Sequence, residues 1–317
     1  MKRIFFSADA HGANLVWRKW ISAVNMYHAD ILILAGDLTG KVFVPIIKQS
    51  DGTYQYHYFG TTFTLKSQDE VKAAIDRLDN AATYPFTTTS EEVEELQNNE
   101  KKLQDLMNKL IWDRLDQWLK MLVEKIDTSK VMPIVMPGND DFFIFDDLIK
   151  SYENKGVIYP LHRVVDLPYG IEMISCSYVN PTPWNTDREA DERKLERMIE
   201  TEIKRVKDPH WSIFNFHAPP YNTQLDIAPK LDRNLTPVTN FGEVEKVHVG
   251  SKAVLRVEKK YQPLMGVHGH IHESFASDRV GKTPVVNPGS EYTEGILRAF
   301  IIEIDEKGIK NYWKIEG

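Results

Sequence analysis

The stretch GVHGHIHES, residues 266–274, places histidines at 268, 270 and 272 in a 317-residue chain that has ten in all. On an extended segment, residues i, i+2 and i+4 point to one face, so the three imidazoles would look the same way. Neutral imidazole is the commonest metal-ligating side chain. A histidine alone in a polar turn is ordinarily just solvated, so the meaning of the three depends on partners elsewhere. Their setting, an apolar run (PLMGV) emptying into a loop of Gly, His, Asn, Asp or Pro, is one that the chain repeats.

It recurs in RIFFSA (3–8), DILILAG (30–36), KVMPIVMPGNDD (130–141), WSIFNFHAPP (211–220) and TPVVNPGS (283–290). Between the first two lies NLVWRKWISAVNMYH, amphipathic at helical spacing. Short apolar runs alternating with helical patterns predict an α/β protein. LRAFIIEIDEKGIKNYWKIEG (297–317) reads as a closing β-hairpin that turns at Glu306-Lys307-Gly308. One stretch departs from the rhythm. Residues 41–130 read as an insertion of a hairpin and two helices, packed on a single domain of residues 1–317. The hairpin turns at Asp51-Gly52, with Tyr54, Tyr56 and Tyr58 on one face. The second helix runs from Ser90 to Ile126, opened by a Thr89/Glu92 capping box. Val93, Leu96, Leu103, Leu106, Leu110, Leu115, Trp118 and Leu122 form its apolar stripe.

Composition bounds the function classes. The net charge is −7, and the basic clusters at 192–207 and 257–260 are interleaved with acids or amphipathic, which argues against a dedicated nucleic-acid binder. No apolar run approaches the roughly 18 residues that span a bilayer, and the apolar stretch after Met1 is shorter than the about 7–15 residues of a secretory signal. The single Cys176 excludes an internal disulfide framework and a thiolate metal cluster. The expectation is a cytoplasmic protein with no membrane partner.

The histidines then gain partners. Asp9 and His11 alternate in DAHG, Asp37 stands in GDLTG, Asn139 and Asp140 in PGNDD, His217 in NFHAPP, and His270 and His272 in GHIH. Sites in open α/β sheets form at the carboxyl ends of strands, so five strand ends deliver these side chains to one edge. Carboxylate, amide oxygen and imidazole without thiolate suit Mn, Fe, Zn or Co. The set is too large for one ion, and a carboxylate such as Asp37 can bridge two.

In these blocks the chain resembles the calcineurin-like metallophosphoesterase superfamily, whose pattern is D-x-H, G-D, G-N-H-D/E, a lone H, then G-H-x-H, here spanning residues 9–272. The resemblance implies a four-layer α/β/β/α sandwich of two mixed sheets flanked by helices, carrying here a hairpin-plus-helices insertion. It implies two divalent metal ions, the first held by Asp9, His11 and His272, the second by Asn139, His217 and His270, with Asp37 bridging. His268 matches no ligand position and is read as support behind the ligands. The loop NPGS (287–290) resembles one found after the last ligands in phosphodiesterase branches, with Asn287 and Ser290 shaping it. The chain departs from the pattern at Asp140, where many members have the histidine assigned to protonating the leaving group. Asp140 is a substitute acid, a structural residue or a sign of weak catalysis. Replacement of that histidine goes with phosphodiester substrates, so the leading expectation is a phosphodiesterase in which a metal-activated hydroxide attacks phosphorus. A non-catalytic or weakly catalytic scaffold on the same fold is the alternative, and a nuclease the second. The expected partners are a phosphoester substrate and a second copy of the chain docked through the insertion.

Overall fold

The computed structural model describes residues 1–317 and gathers the apolar runs into two mixed sheets. The first has the order Gly308–Glu316, Arg298–Asp305, Lys2–Ser7, Ile31–Ala35, Met132–Met136. Its last three strands are parallel, and the expected closing hairpin adds the antiparallel pair. The second has the order Ala276–Val280, Thr283–Asn287, Met265–Val267, Ser212–Phe216, Glu172–Cys176, Val165–Asp166. Its four middle strands are parallel and both edges antiparallel.

Strand alternation shows how the sheets meet. Successive side chains point to opposite faces. Met173 and Ile213 join the main core with Ile4, Phe6 and Ile33 of the first sheet. Ile174, Cys176, Phe214 and Phe216 join a second core with Leu195, Ile199, Val254 and Val257. Those last four come from the helices Glu192–Ile203 and Lys252–Tyr261. The second sheet thus shares one core with the first sheet and another with helices. Cys176 is buried in that second core. Against the first sheet lie Trp17 and Trp20 of the helix Asn14–Tyr27, and Leu115, Trp118 and Leu122 of the helix Glu100–Lys125.

The segment 41–130 is richer than a hairpin with two helices. The hairpin is there, Phe43–Lys48 pairing with Tyr54–Tyr58, but Thr61–Leu65 and Tyr84–Thr89 complete a four-stranded sheet. The helix Gln68–Asn80 covers one face, over Val44, Ile46 and Tyr56. Tyr56 stacks on Phe63 at 4.8 Å, so the tyrosine face packs rather than presenting itself to a ligand. The long helix is two, Ser90–Asn98 and Glu100–Lys125. The Thr89 capping box opens the first, while Asn99, extended at φ −135°, caps the second through Lys102 N–H. Side chains such as Asn that bond to local backbone compete with helix propagation, and the pair Asn98-Asn99 breaks it. The apolar stripe is divided accordingly. Val93, Leu96, Leu103 and Leu106 line a small groove against Phe43 and Phe86, whereas Leu115, Trp118 and Leu122 enter the main core. No helix is long and apolar enough to cross a membrane.

Candidate metal centre

The strand exits converge from both sheets. Asp9, His11, Asp37 and Asn139 follow strands of the first sheet; His217, His270 and His272 follow strands of the second. The loops interlock through main-chain bonds: Asp9 N–H to Gly36 O (3.0 Å), His11 N–H to Asp37 O (2.9 Å) and Gly269 N–H to His217 O (3.1 Å). The His270 N–H reaches across to the Asp9 carboxylate at 3.0 Å. Asp9, His11, Asp37 and His270 all have positive φ, between 43° and 70°. Such a backbone costs of order 1–3 kcal/mol per residue and persists where the surroundings over-determine it, commonly at functional sites. Space is equally constrained, because a Cβ on Gly36 would overlap the His217 imidazole and one on Gly138 would overlap Asp37.

Two groups of potential donors result, Asp9–His11–Asp37–His272 and Asp37–His217–His270, each with its ligand atoms within 4.8 Å of one another. Asp37 belongs to both. Its Oδ2 lies 3.4 Å from His217 Nε2 and 3.7 Å from His11 Nε2. His11 and His272 face each other, Nε2 to Nε2, at 3.1 Å. Of the seven buried side-chain atoms without a hydrogen-bond partner, two belong to candidate donors, His217 Nε2 and Asn139 Oδ1. Both are aimed by a bond on their other side. His217 Nδ1 donates to Ala35 O (3.0 Å), which aims Nε2 at the donor groups, and Asn139 Nδ2 donates to Thr186 Oγ1 (2.9 Å), which presents Oδ1. Ligating histidines are oriented in this way, by a bond at the second ring nitrogen. An unpaired buried acceptor costs about 1–3 kcal/mol, and a cation at the site removes that cost. The donor set therefore fits hard or borderline divalent ions.

The electrostatics agree. Burial alone would raise the Asp37 carboxyl, but His217, His11 and His270 around it hold it well below the usual carboxylate range. Burial opposes charge on His217, yet Asp37 and Asp9 lift it to about 9. Burial and the neighbouring His217 push His270 down to about 4.

Other residues hold the loops. His268 is fully buried: its Nδ1 donates to Phe216 O (2.8 Å) and Ala218 O (3.0 Å), either side of His217, and its Nε2 meets Glu258 at 3.0 Å. It fixes the His217 loop and points away from the donor groups. Asp141 accepts from Leu38 N–H, Thr39 N–H, Thr39 Oγ1 and Gly138 N–H, tying the GDLTG loop to PGNDD. Burial and the nearby Asp37 push it up to about 6. Arg188, buried, donates to Asp141 O and pairs with Asp146 at 2.5 Å. From the insertion, Arg114 donates to Gly12 O and Thr83 O, both at 2.8 Å, and pairs with Asp79. Asn287 donates to Leu225 O and Ile271 O, and Ser290 to Asp9 O, so both brace the loop as anticipated. Sequence reading singled out neither Asp141, Arg188, Arg114 nor Thr186. Asp141 alone had a local signal, as the second acid of GNDD.

Asp140 lies beside the donors. Its N–H bonds Asp37 Oδ1 (2.9 Å), Oδ2 is 3.8 Å from His11 Nδ1, and Oδ1 accepts from Lys41 Nζ at 2.6 Å. The donors open into a cleft of about 1100 Å³. Residues 180–187, with Trp184 exposed at 61%, form one wall. The ribbon of Ile227–Pro229 with Lys246–His248, the loop 230–237 and Tyr292 form others, and Lys41, Val42 and Ala82 bring the insertion into the lining.

No family model matches the chain. Over 173 residues, 54% of this chain and 68% of the relative, it is 31% identical to the uncharacterized protein MJ1162 of Methanocaldococcus jannaschii. The chain belongs to one family with that protein. One crystal structure, 16% identical, matches 99% of this chain and 98% of its own with a TM-score of 0.58. TT1561 of Thermus thermophilus, 13% identical, matches 100% of this chain and 98% of its own at 0.54. At such identities these two share the fold. On that fold the five motif blocks that carried the sequence resemblance are seen to meet.

Proposed function

We propose that the chain is a dinuclear-metal-dependent phosphoric ester hydrolase that prefers phosphodiesters. The observation that carries this reading is the pair of donor groups sharing Asp37, together with the unpartnered Asn139 Oδ1 and His217 Nε2. In it, Asp9, His11 and His272 hold one ion, Asn139, His217 and His270 the other, and Asp37 bridges. Two ions at such a site activate water and neutralise charge on a phosphoryl group in in-line displacement. The donor set accepts Mn, Fe, Zn or Co.

The chain's own residues set the rest. The strained loops hold the donors before any ligand arrives, so little reorganisation is needed when charge develops. Preference for diesters is supported at Asp140, which stands where the superfamily pattern has the histidine assigned to protonating the leaving group, and whose Oδ1 is taken up by Lys41 Nζ at 2.6 Å. A leaving alkoxide needs a proton from such a group, whereas an aryl oxide departs without one. The cleft is large enough for both ester groups of a diester. The scaffold reading finds no such support, because a scaffold has no need to gather these donors from two sheets around one shared carboxylate.

Turnover of a bis-aryl phosphodiester beside its aryl monoester, with added Mn and with EDTA, tests the reading. We expect EDTA-sensitive hydrolysis, faster on the diester. Protein carrying two ions per chain that cleaves neither would overturn it in favour of the scaffold.

A further inference from the structure

Lys41 follows the GDLTG loop, and its backbone is fixed on both sides. Gly40 N–H donates to Tyr84 Oη (3.2 Å), and Tyr84 N–H donates to Val42 O (2.8 Å). The Lys41 side chain turns back along the cleft wall. Its Nζ sits 2.6 Å from Asp140 Oδ1 and 4.7 Å from the centroid of the Phe142 ring. Through Asp140, whose N–H bonds Asp37, it stands beside the shared carboxylate of the donor groups.

The cleft lining otherwise carries Asp37, Asp140, Asp187 and Glu273, with Lys230 as the second cation. Lys230 is on a ribbon wall and paired with Glu245 at 2.9 Å. A phosphoryl group entering this acidic cleft meets candidate metal ligands on one side and needs positive charge on the other. An ammonium has three N–H donors. Asp140 takes one of those of Lys41, and two remain for a ligand.

We propose that Lys41 contacts substrate, donating to a non-bridging oxygen of the phosphoryl group, and that Asp140 is the positioning residue that aims it. This rests on the phosphoesterase reading above. Lys41 thus supplies charge from the position next to the superfamily's histidine, without passing a proton to the leaving group. It also gives the insertion a part in substrate recognition, since the residue is the first of the segment 41–130.

The test compares Mn-loaded wild type with Lys41→Met, Lys41→Arg, Asp140→Asn and the double variant Lys41→Met/Asp140→Asn, each checked for equal metal content. The first readout is binding of inorganic phosphate by calorimetry, which needs no turnover. Lys41→Met should weaken it at least about tenfold, and Lys41→Arg, which keeps the charge, should restore most of it. Asp140→Asn should weaken it less, and its effect should vanish in the Lys41→Met background, because coupled residues are not additive. The second readout is kcat/KM across aryl diesters of varied leaving group. Lys41→Met should lower all of them by about 10²-fold with an unchanged slope, as loss of one charge-stabilising donor does. Unchanged phosphate binding in Lys41→Met overturns the proposal. So does a loss that grows with leaving-group basicity, which would make Lys41 a proton donor. If wild type binds metal and phosphate but hydrolyses nothing, the phosphoesterase reading fails, while the calorimetric comparison still decides whether Lys41 binds the phosphoryl group.

Discussion

Arg114 is where the insertion grips the candidate metal loops, and Arg114→Met tests that grip. The substitution keeps most of the aliphatic volume, so its cost is polar. Gly12 O and Thr83 O lose a shared charged donor at 2.8 Å inside the protein. Each buried acceptor so abandoned costs about 1–3 kcal/mol. Asp79 also loses its partner, but its side chain is 28% exposed and water takes over, which adds little. The total is about 3 kcal/mol, read as a lower urea midpoint with an unchanged m-value. Gly12 adjoins His11, so metal retention on dialysis should fall about tenfold, as for other outer partners of a metal site. Asp79→Asn should cost less than about 1 kcal/mol by the same reasoning. A loss below about 1 kcal/mol in Arg114→Met with full metal retention would refute the claim that the insertion holds the site.

Thr186→Val removes the acceptor that aims Asn139 and should lower affinity for one ion by about 10–100-fold, leaving the other; two-step metal titration reads this. In EDTA-stripped protein His217, lifted to about 9 from 6.5, adds stability below about pH 6.5 that is lost as pH rises through 9. Asp37, held below its ordinary 3.8, adds stability above that pH and loses it on acidification. Denaturation from pH 4 to 9.5 should therefore show stripped protein weakening above about 6.5; with metal bound, the proton on His217 is displaced and this decline should disappear. A flat profile in stripped protein would contradict the ion pair. Asp140→His should raise monoesterase relative to diesterase activity, and Asp140→Asn should change activated diester hydrolysis by less than about tenfold. Loss of a wild-type preference for alkyl monoesters in Asp140→Asn, with metals bound, would make Asp140 the working acid.

Most of the candidate site was legible because strand exits are local. An apolar run followed by Asp9-x-His11 or His270-x-His272 declares both the strand and the polar edge beyond it. That a carboxylate such as Asp37 can bridge two ions was readable as chemistry, and Asp37 falls in both donor groups. What escaped notice depends on distant partners. Tyr84–Thr89 pairs in parallel with a strand some forty residues earlier, and YPFTTT has no alternation to reveal it. Arg114 and Arg188 look like any charged residue until their buried acceptors are known. The helix break at Asn99 carried a local sign, two asparagines in a row, which the longer apolar stripe outweighed. Left-handed backbone at Asp9, His11, Asp37 and His270 has no sequence signature beyond the tolerance of Asp and His for it.

The central claim is that seven side chains from two sheets hold two ions through Asp37, and metal stoichiometry tests it most directly. Elemental analysis of protein dialysed after Mn loading should return two ions per chain for wild type, about one for Asn139→Ala and none for Asp37→Ala. A folded wild-type protein that never retains more than one ion per chain, or an Asp37→Ala variant that keeps both, would contradict the account.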